Sequence, residues 1–241
     1  MGSKKEGRTV EDVPFTIMKG KQVLTQLDQY YLLSPELRSA DPMHFNQVYE
    51  PVTSLFFLGL LQKIKKGFTF LDVGANIGYY SVFCAGLRPD AKIYAFEPHD
   101  KVFEVLSKNA DMYPGIQAIQ CGISDEEQAD VEMYCDNRNI GGHSYMENGF
   151  GDGKGFQPDI GMYMMNTQLK KLTSFDIDFD EVEVIKIDIQ GFETKVLRDI
   201  FDLLKKGTVL LIEDCEGIDE FISEHKMQVL YKSGIEMAIK K

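Results

Sequence analysis

Six carboxylates stand where short apolar runs of this sequence end: Asp72, Glu97, Asp125, Asp188, Glu213 and Asp214. In open α/β sheets, ligands bind beyond the carboxyl ends of the strands, where the strand order reverses. Acids on such a rim suit a cation or a sugar diol and repel phosphate. The most specific stretch is Phe70-Leu71-Asp72-Val73-Gly74-Ala75-Asn76-Ile77-Gly78, which reads as a strand, a glycine turn and a helix start. A dinucleotide fingerprint beginning at Gly74 would need glycine at Asn76 and Tyr79, and a P-loop would need Gly-Lys-Ser/Thr. Neither pattern is met. The turn therefore suits a nucleoside ligand without phosphates, and Asp72 beside it welcomes a cation. S-adenosylmethionine (SAM), with a sulfonium, an ammonium and a ribose, fits that description.

The other rim acids extend the reading. Glu97 closes Ala95-Phe96-Glu97-Pro98, 25 residues after Asp72, where an acid can grip a ribose diol. Asp125, in Gly122-Ile123-Ser124-Asp125, could accept from an adenine amino group, or could simply begin the acidic turn Asp125-Glu126-Glu127. Asp188 ends a run on the far side of the order reversal, where a transferred group must emerge. It is the first candidate for a base that takes a proton from a hydroxyl acceptor, though it could instead hold the SAM ammonium or orient the acceptor. His143, in Gly141-Gly142-His143-Ser144, is the second candidate base, or a histidine of a surface turn. Glu193 falls in the first turn of a helix, where the dipole favours an acid. Asp188, Glu213 and Asp214 could together hold Mg²⁺ with substrate oxygens. Acidic strand ends are common in such sheets, so no metal is expected.

The elements that must position these residues follow from apolar period. Residues 21–33 read as a polar helix. Pro51 starts another, with Val52, Leu55, Phe56, Leu60 and Ile64 on one face and Gly67 at its end. Strands are expected at 68–73, 92–96 and 116–121, with helices over 76–84 and from Asp100, the expected N-cap. Residues 131–172 interrupt this rhythm: 131–135 alternate like a half-exposed strand, and 148–161 hold Gly149, Gly151, Gly153, Gly155 and Gly161, a lid or a tolerated insertion. Strands resume at 184–188 and 209–212, around a helix carrying Phe192, Val196, Ile200 and Leu204, and a hairpin spans 228–239. Strands apolar on both faces imply a parallel sheet covered by helices. The expected fold is α/β: a Rossmann-like, doubly wound sheet of about seven strands, mostly parallel with a C-terminal antiparallel hairpin. One domain (49–241, with an acceptor-side insertion at about 131–172) would follow an N-terminal helical extension (1–48).

Composition removes other classes. The chain has 241 residues, with 26 basic and 38 acidic side chains and a net charge of −12, which argues against nucleic acid or anionic membrane as partners. Cys84, Cys121, Cys135 and Cys215 show no C-x-x-C and no clustered histidine, so neither disulfides nor a zinc site is expected; buried thiols in a reducing compartment are. The longest apolar stretch, 55–61, is about a third of a membrane-spanning helix. The N-terminus lacks a signal-peptide core, and Glu6 stands where a myristoylation signal wants Ser or Thr. A soluble, cytoplasmic protein is expected.

Taken together, Tyr49-Glu50-Pro51, Leu71-Asp72-Val73-Gly74-Ala75-Asn76-Ile77-Gly78-Tyr79-Tyr80-Ser81, Phe96-Glu97-Pro98, Phe175-Asp176 and Ile185-Lys186-Ile187-Asp188-Ile189-Gln190-Gly191-Phe192-Glu193 resemble FkbM-type methyltransferases. The resemblance runs from about Tyr49 to Glu213. It implies a class I SAM-dependent enzyme, of a family that mostly methylates hydroxyl oxygens, acting on a small-molecule or sugar-like acceptor. It also implies SAM contacts from Asp72, Gly74, Asn76, Gly78 and Glu97 along the turn that includes Ala75. Asp188 would lie at the active centre and Glu50 near the cofactor. Two alternatives stand beside it: an NAD-dependent oxidoreductase on the same sheet, and a SAM-binding module without chemistry. N- or C-methylation is also open, because the glycine turn is silent on the acceptor atom.

Overall fold

Apolar runs punctuated by glycine become the strands of a central sheet. The computed structural model describes residues 50–65, 67–136, 143–145, 158, 162–234 and 236–241. The expected 1–48 extension with its helix at 21–33, and the glycines of 148–161, lie outside the described residues. Helix α1 (Pro51–Leu61) leads into β1 (Thr69–Val73), α2 (Tyr79–Leu87), β2 (Lys92–Phe96), α3 (Asp100–Ala110) and β3 (Ile116–Ile119). A short β4 (Gly122–Ile123) and two long strands, β5 (Gln128–Asp136) and β6 (Met162–Lys170), come next. The chain then forms β7 (Val182–Ile187), α4 (Glu193–Ile200), β8 (Val209–Glu213), α5 (Ile218–Glu224), β9 (Gln228–Ser233) and β10 (Glu236–Lys240).

Seven of these strands form one sheet in the order β3-β2-β1-β7-β8-β10-β9. The first five run parallel, and β10 and β9 are antiparallel to their neighbours. The order reverses between β1 and β7, as expected for a doubly wound sheet. Successive residues of each strand point to opposite faces. Phe70, Ile93, Val184 and Leu211 therefore pack with Phe57, Tyr80 and Phe83 of α1 and α2. Leu71, Phe96, Ile185 and Ile212 pack with Val196, Leu197 and Phe221 of α4 and α5.

The structure departs from expectation in five places. A second, three-stranded sheet, β4-β6-β5, stands beside the main one, so a single sheet does not account for the whole domain. Its central strand β6 is buried only at Met162 and Leu169 and alternates half-buried and exposed residues between them, so no apolar run marks it. Helix α5 was not expected; at seven residues it is too short for a periodic signal. In α1 the inward face holds Thr53, Ser54, Phe57, Leu58 and Leu61, while Val52 and Leu55 are 52% and 49% exposed. That helix is apolar nearly all round, so period cannot choose its face. The choice falls to Phe57, which meets Phe70, Tyr80 and Phe83 with ring centroids 5.2–5.8 Å apart. Helix α2 starts at Tyr79 instead of Asn76, because Asn76 (φ 52°) and Gly78 (φ 88°) are left-handed and prolong the turn. Finally, His99 and not Asp100 caps α3, its Nδ1 accepting from the Val102 N–H at 3.4 Å. Among the described residues, no helix is long and apolar enough to cross a membrane.

Candidate active site

The glycine turn hangs on the end of β2. Gly74 and Ala75 both donate backbone N–H bonds to the Phe96 carbonyl, at 3.0 and 2.8 Å. Gly74 has φ 79°, and a Cβ placed there would lie 1.9 Å from the Asp188 carbonyl oxygen. Only glycine lets the ends of β1 and β7 approach so closely. Asn76 turns its side chain back to accept from Ile77 N–H at 2.8 Å and gives its own N–H to Glu97 Oε2 at 3.0 Å. Glu97 Oε1 accepts from His99 N–H at 2.9 Å. Glu97 is 6% exposed, and burial above all pushes its carboxyl up to about 7 against those two N–H bonds. It thus ties the glycine turn to the turn after β2.

Beneath the turn lies a buried lysine. Lys186 is 6% exposed on the β7 strand, paired in register with Asp72 of β1. Its ammonium sits 2.7 Å from Asp188 Oδ2 and 5.0 Å over the Tyr80 ring. Burial alone would push the ammonium down, but Asp188, Glu50 and Asp72 outweigh it and hold it above the ordinary lysine value. Asp72 is 1% exposed and accepts from Ser81 Oγ at 2.6 Å. Burial raises its carboxyl to about 6, with Lys186 the strongest opposing influence. Glu50, at the start of α1, accepts from the Tyr80 hydroxyl at 2.6 Å.

Asp188 opens onto a cleft at the ends of β7, β8 and β10. Glu50, Thr53, Lys186, Asp188, Glu213 and Glu236 supply the polar lining of this narrow cleft, which is open to solvent. Gln190, in a left-handed turn (φ 53°), bridges the rim: its Nε2 lies 3.1 Å from Glu213 Oε2 and 3.4 Å from Asp188 Oδ1. Burial first, then Asp188, raises the Glu213 carboxyl to about 8. Glu193 holds the same turn from below, accepting from Ile189 N–H at 3.1 Å and Gly191 N–H at 2.9 Å. Its role is loop closure, which goes beyond the dipole preference expected of it. Ser144 Oγ donates to the Gln190 carbonyl at 3.3 Å, and Tyr145 stacks on Phe192 at 5.5 Å, so the 143–145 segment covers this turn.

The expected residues thus divide. Glu50, Asp72, Gly74, Ala75, Asn76, Glu97, Asp188 and Glu213 form one connected region, and Gly78 begins α2 beside it. Asp125 is half-buried, accepts from its neighbour Ser124 at 3.0 Å and is felt by Lys171. Asp214 turns outward to Lys232 at 2.7 Å. With Asp188 paired to Lys186 as well, the three carboxylates suggested for Mg²⁺ do not converge. His143 stacks on His99 with ring centroids 4.4 Å apart, beside the Glu97 turn. Lys186, Gln190, Tyr80 and Glu236 join this region without a role legible from the sequence. Lys186 carried a readable signal: a lysine inside an apolar strand cannot stay buried without acids around it.

The family model for the methyltransferase FkbM domain matches residues 72–231, well over half of the chain. The methyltransferase sdnD of Sordaria araneosa is 29% identical over 155 residues, covering 54% of this chain and 59% of that one. The hexuronic acid methyltransferase AglP of Haloferax volcanii is 24% identical over 187 residues, covering 70% of this chain and 66% of that one. The chain thus spans about two thirds or less of the length of these relatives. A solved structure of a candidate O-methyltransferase from Klebsiella pneumoniae superposes with a TM-score of 0.56 at 13% identity, over 95% of this chain and 93% of that one. That likeness is one of fold.

Proposed function

The chain belongs to the FkbM methyltransferase family, a family of SAM-dependent enzymes, and on that premise we propose that it methylates a hydroxyl oxygen of a small, sugar-like acceptor bound in the cleft beside Asp188. The observation that carries this reading is the junction of the two regions. The Gly74 turn touches the Asp188 backbone, and the Asp188 side chain lines the cleft.

The donor set suits SAM. Glu97 and Asp188 offer carboxylates where a diol and an ammonium can be held, Asp72 supports the turn from beneath, and the glycine turn lacks the pattern for a pyrophosphate. When bound, SAM supplies a methyl group on a sulfonium. Gly74, Ala75, Asn76, Gly78 and Glu97 would hold its nucleoside, and Asp125 remains a candidate for the adenine edge.

Asp188 is fixed by Lys186 and Gln190, so it can orient an acceptor hydroxyl with little loss of freedom on binding. Glu213, raised to about 8, is better matched to receive the hydroxyl proton near neutral pH. We therefore assign positioning to Asp188 and proton acceptance to Glu213; His143, on the Glu97 side, takes no part in proton transfer. The hexuronic acid relative favours a sugar-like acceptor. Four carboxyls in the cleft disfavour one that carries its own carboxylate.

Incubation with methyl-labelled SAM and a panel of neutral sugars, amino sugars, uronic acids, polyketide-like alcohols, amines and RNA tests the reading. Methyl transfer to a neutral or amino-sugar hydroxyl is expected. Transfer to RNA or to a nitrogen acceptor, or S-adenosylhomocysteine binding with no transfer to any member, would overturn it.

A further inference from the structure

Three side chains far apart in sequence meet beside the Glu97 turn. His99 follows β2, Cys135 lies in β5, and His143 follows β5. A ligand atom of each lies within 4.8 Å of the other two. His99 is 1% exposed and Cys135 fully buried. We propose that His99, Cys135 and His143 form a binding site for a zinc-like divalent metal ion, separate from the methyl-transfer cleft.

The donor chemistry selects the ion. Two imidazoles and one thiolate are borderline-to-soft ligands, which favour Zn²⁺ over Mg²⁺ or Ca²⁺. Bonds of about 2.0–2.3 Å at tetrahedral angles place ligand atoms roughly 3.3–3.6 Å apart, so the cluster needs to close by no more than about 1.5 Å. The two imidazoles now lie nearly parallel, with 16° between their planes. Closure requires the half-buried His143 ring to turn out of that stack, so that the two lone pairs converge. The Tyr163 hydroxyl, hydrogen-bonded to His99 Nε2 and interacting with Cys135, is an oxygen at hand for the fourth position.

His99 is also backed by a carboxylate. Ligation through Nε2 places the imidazole proton on Nδ1, 3.4 Å from Asp100 Oδ1, the arrangement that commonly orients a metal-bound histidine. The Val102 N–H then gives up its bond to Nδ1. Binding also converts the Cys135 thiol to a thiolate and releases one proton. The bound ion would fasten the small sheet, through Cys135, to the rim that carries Glu97.

The test is metal binding by the full chain after treatment with a chelator. One Zn²⁺ per chain is expected, together with a Co²⁺ derivative whose spectrum shows a thiolate-to-cobalt charge-transfer band. Cys135→Ser should abolish that band. His143→Ala, at a half-buried position where folding is less at risk, should weaken zinc binding by at least about 10–100-fold, the loss that altering even a ligand's supporting partner causes. Circular dichroism would establish that each variant is folded. The absence of stoichiometric Zn²⁺, a Co²⁺ complex without the thiolate band, or unchanged affinity in folded His143→Ala would overturn the proposal. The readout is independent of methyl transfer, so either reading can fail alone.

Discussion

The Lys186 ammonium lies 2.7 Å from the carboxylate of Asp188, two residues further along the same strand and the loop that leaves it. Asp72 stands beside Lys186 in register on the neighbouring strand. One buried cation thus serves the acid under the glycine turn and the acid at the mouth of the cleft. Replacing it by Met leaves Asp72 and Asp188 without their counter-charge. Breaking a buried pair in this way costs about 3–5 kcal/mol, so Lys186→Met should lower the urea midpoint sharply. Adding Asp72→Asn should recover part of that loss. A loss below about 1 kcal/mol would mean that Lys186 is not the charge that balances this layer.

The roles given to Asp188 and Glu213 separate kinetically. Asp188→Asn should cut turnover by at least about 100-fold, on the order of a lost positioning contact, with S-adenosylhomocysteine still bound. Turnover of the unaltered enzyme should rise as pH passes through about 8, where Glu213 loses its proton, and Glu213→Gln should abolish that rise. A pH profile unchanged in Glu213→Gln would exclude it as the proton acceptor.

Stability should move the other way with pH. The Glu213 carboxyl goes from an ordinary 4.5 to about 8 on folding, so between those values the folded state binds more protons than the unfolded state. Unfolding free energy then falls as pH rises across that window. Denaturant melts at pH 5 and pH 8 should show a smaller fall in Glu213→Gln than in the parent. An equal fall in both would show that burial does not raise this carboxyl.

The sequence spoke clearly where one element decided the outcome and less clearly where several did. The β1 and β2 strands lie within a residue of expectation, because apolar runs closed by Gly74 and Pro98 admit no other element. The acids at their ends were legible for the same reason. The inward face of α1 was not, since Leu55 and Phe57 are equally apolar and only the ring of Phe70 chooses between them. Nor was the metal-type cluster: His99, Cys135 and His143 show no ligand spacing, and only the folding of β5 against the β2 turn assembles them. Lys186 was written into a recognisable stretch but given no work. Its meaning depends on Asp72, 114 positions away and beside it only in the sheet.

That choice of face predicts unequal costs along α1. Phe57→Ala should destabilise by about 3–5 kcal/mol, the usual cost of emptying a buried phenylalanine site. Leu55→Ala, at a half-exposed position, should stay within about 0.5 kcal/mol. Thermal melts of the two variants would measure the difference, and equal losses would mean that the helix sits rotated from the orientation described.

Gly74→Ala should be costly in two ways. A left-handed backbone with a Cβ costs about 1–2 kcal/mol, and the added atom would collide with the Asp188 carbonyl. A loss of at least about 2 kcal/mol is expected, together with weaker S-adenosylhomocysteine binding by calorimetry. A variant with parental stability and affinity would mean that β1 and β7 do not meet there.

The two-rung parallel ladder Gly122↔Leu169 and Ile123↔Lys170 brings the point where the chain leaves for the small sheet next to the point where it returns. An excursion whose two ends are already clasped can be lengthened, shortened or replaced without pulling on the seven-stranded sheet. The segment between Ile123 and Leu169 can therefore be grafted as a unit, provided that its contacts to Gln190, Phe192 and His99 are kept. Transplanting it between two family members would ask whether acceptor preference travels with the graft while the methyl-donor half stays as it was.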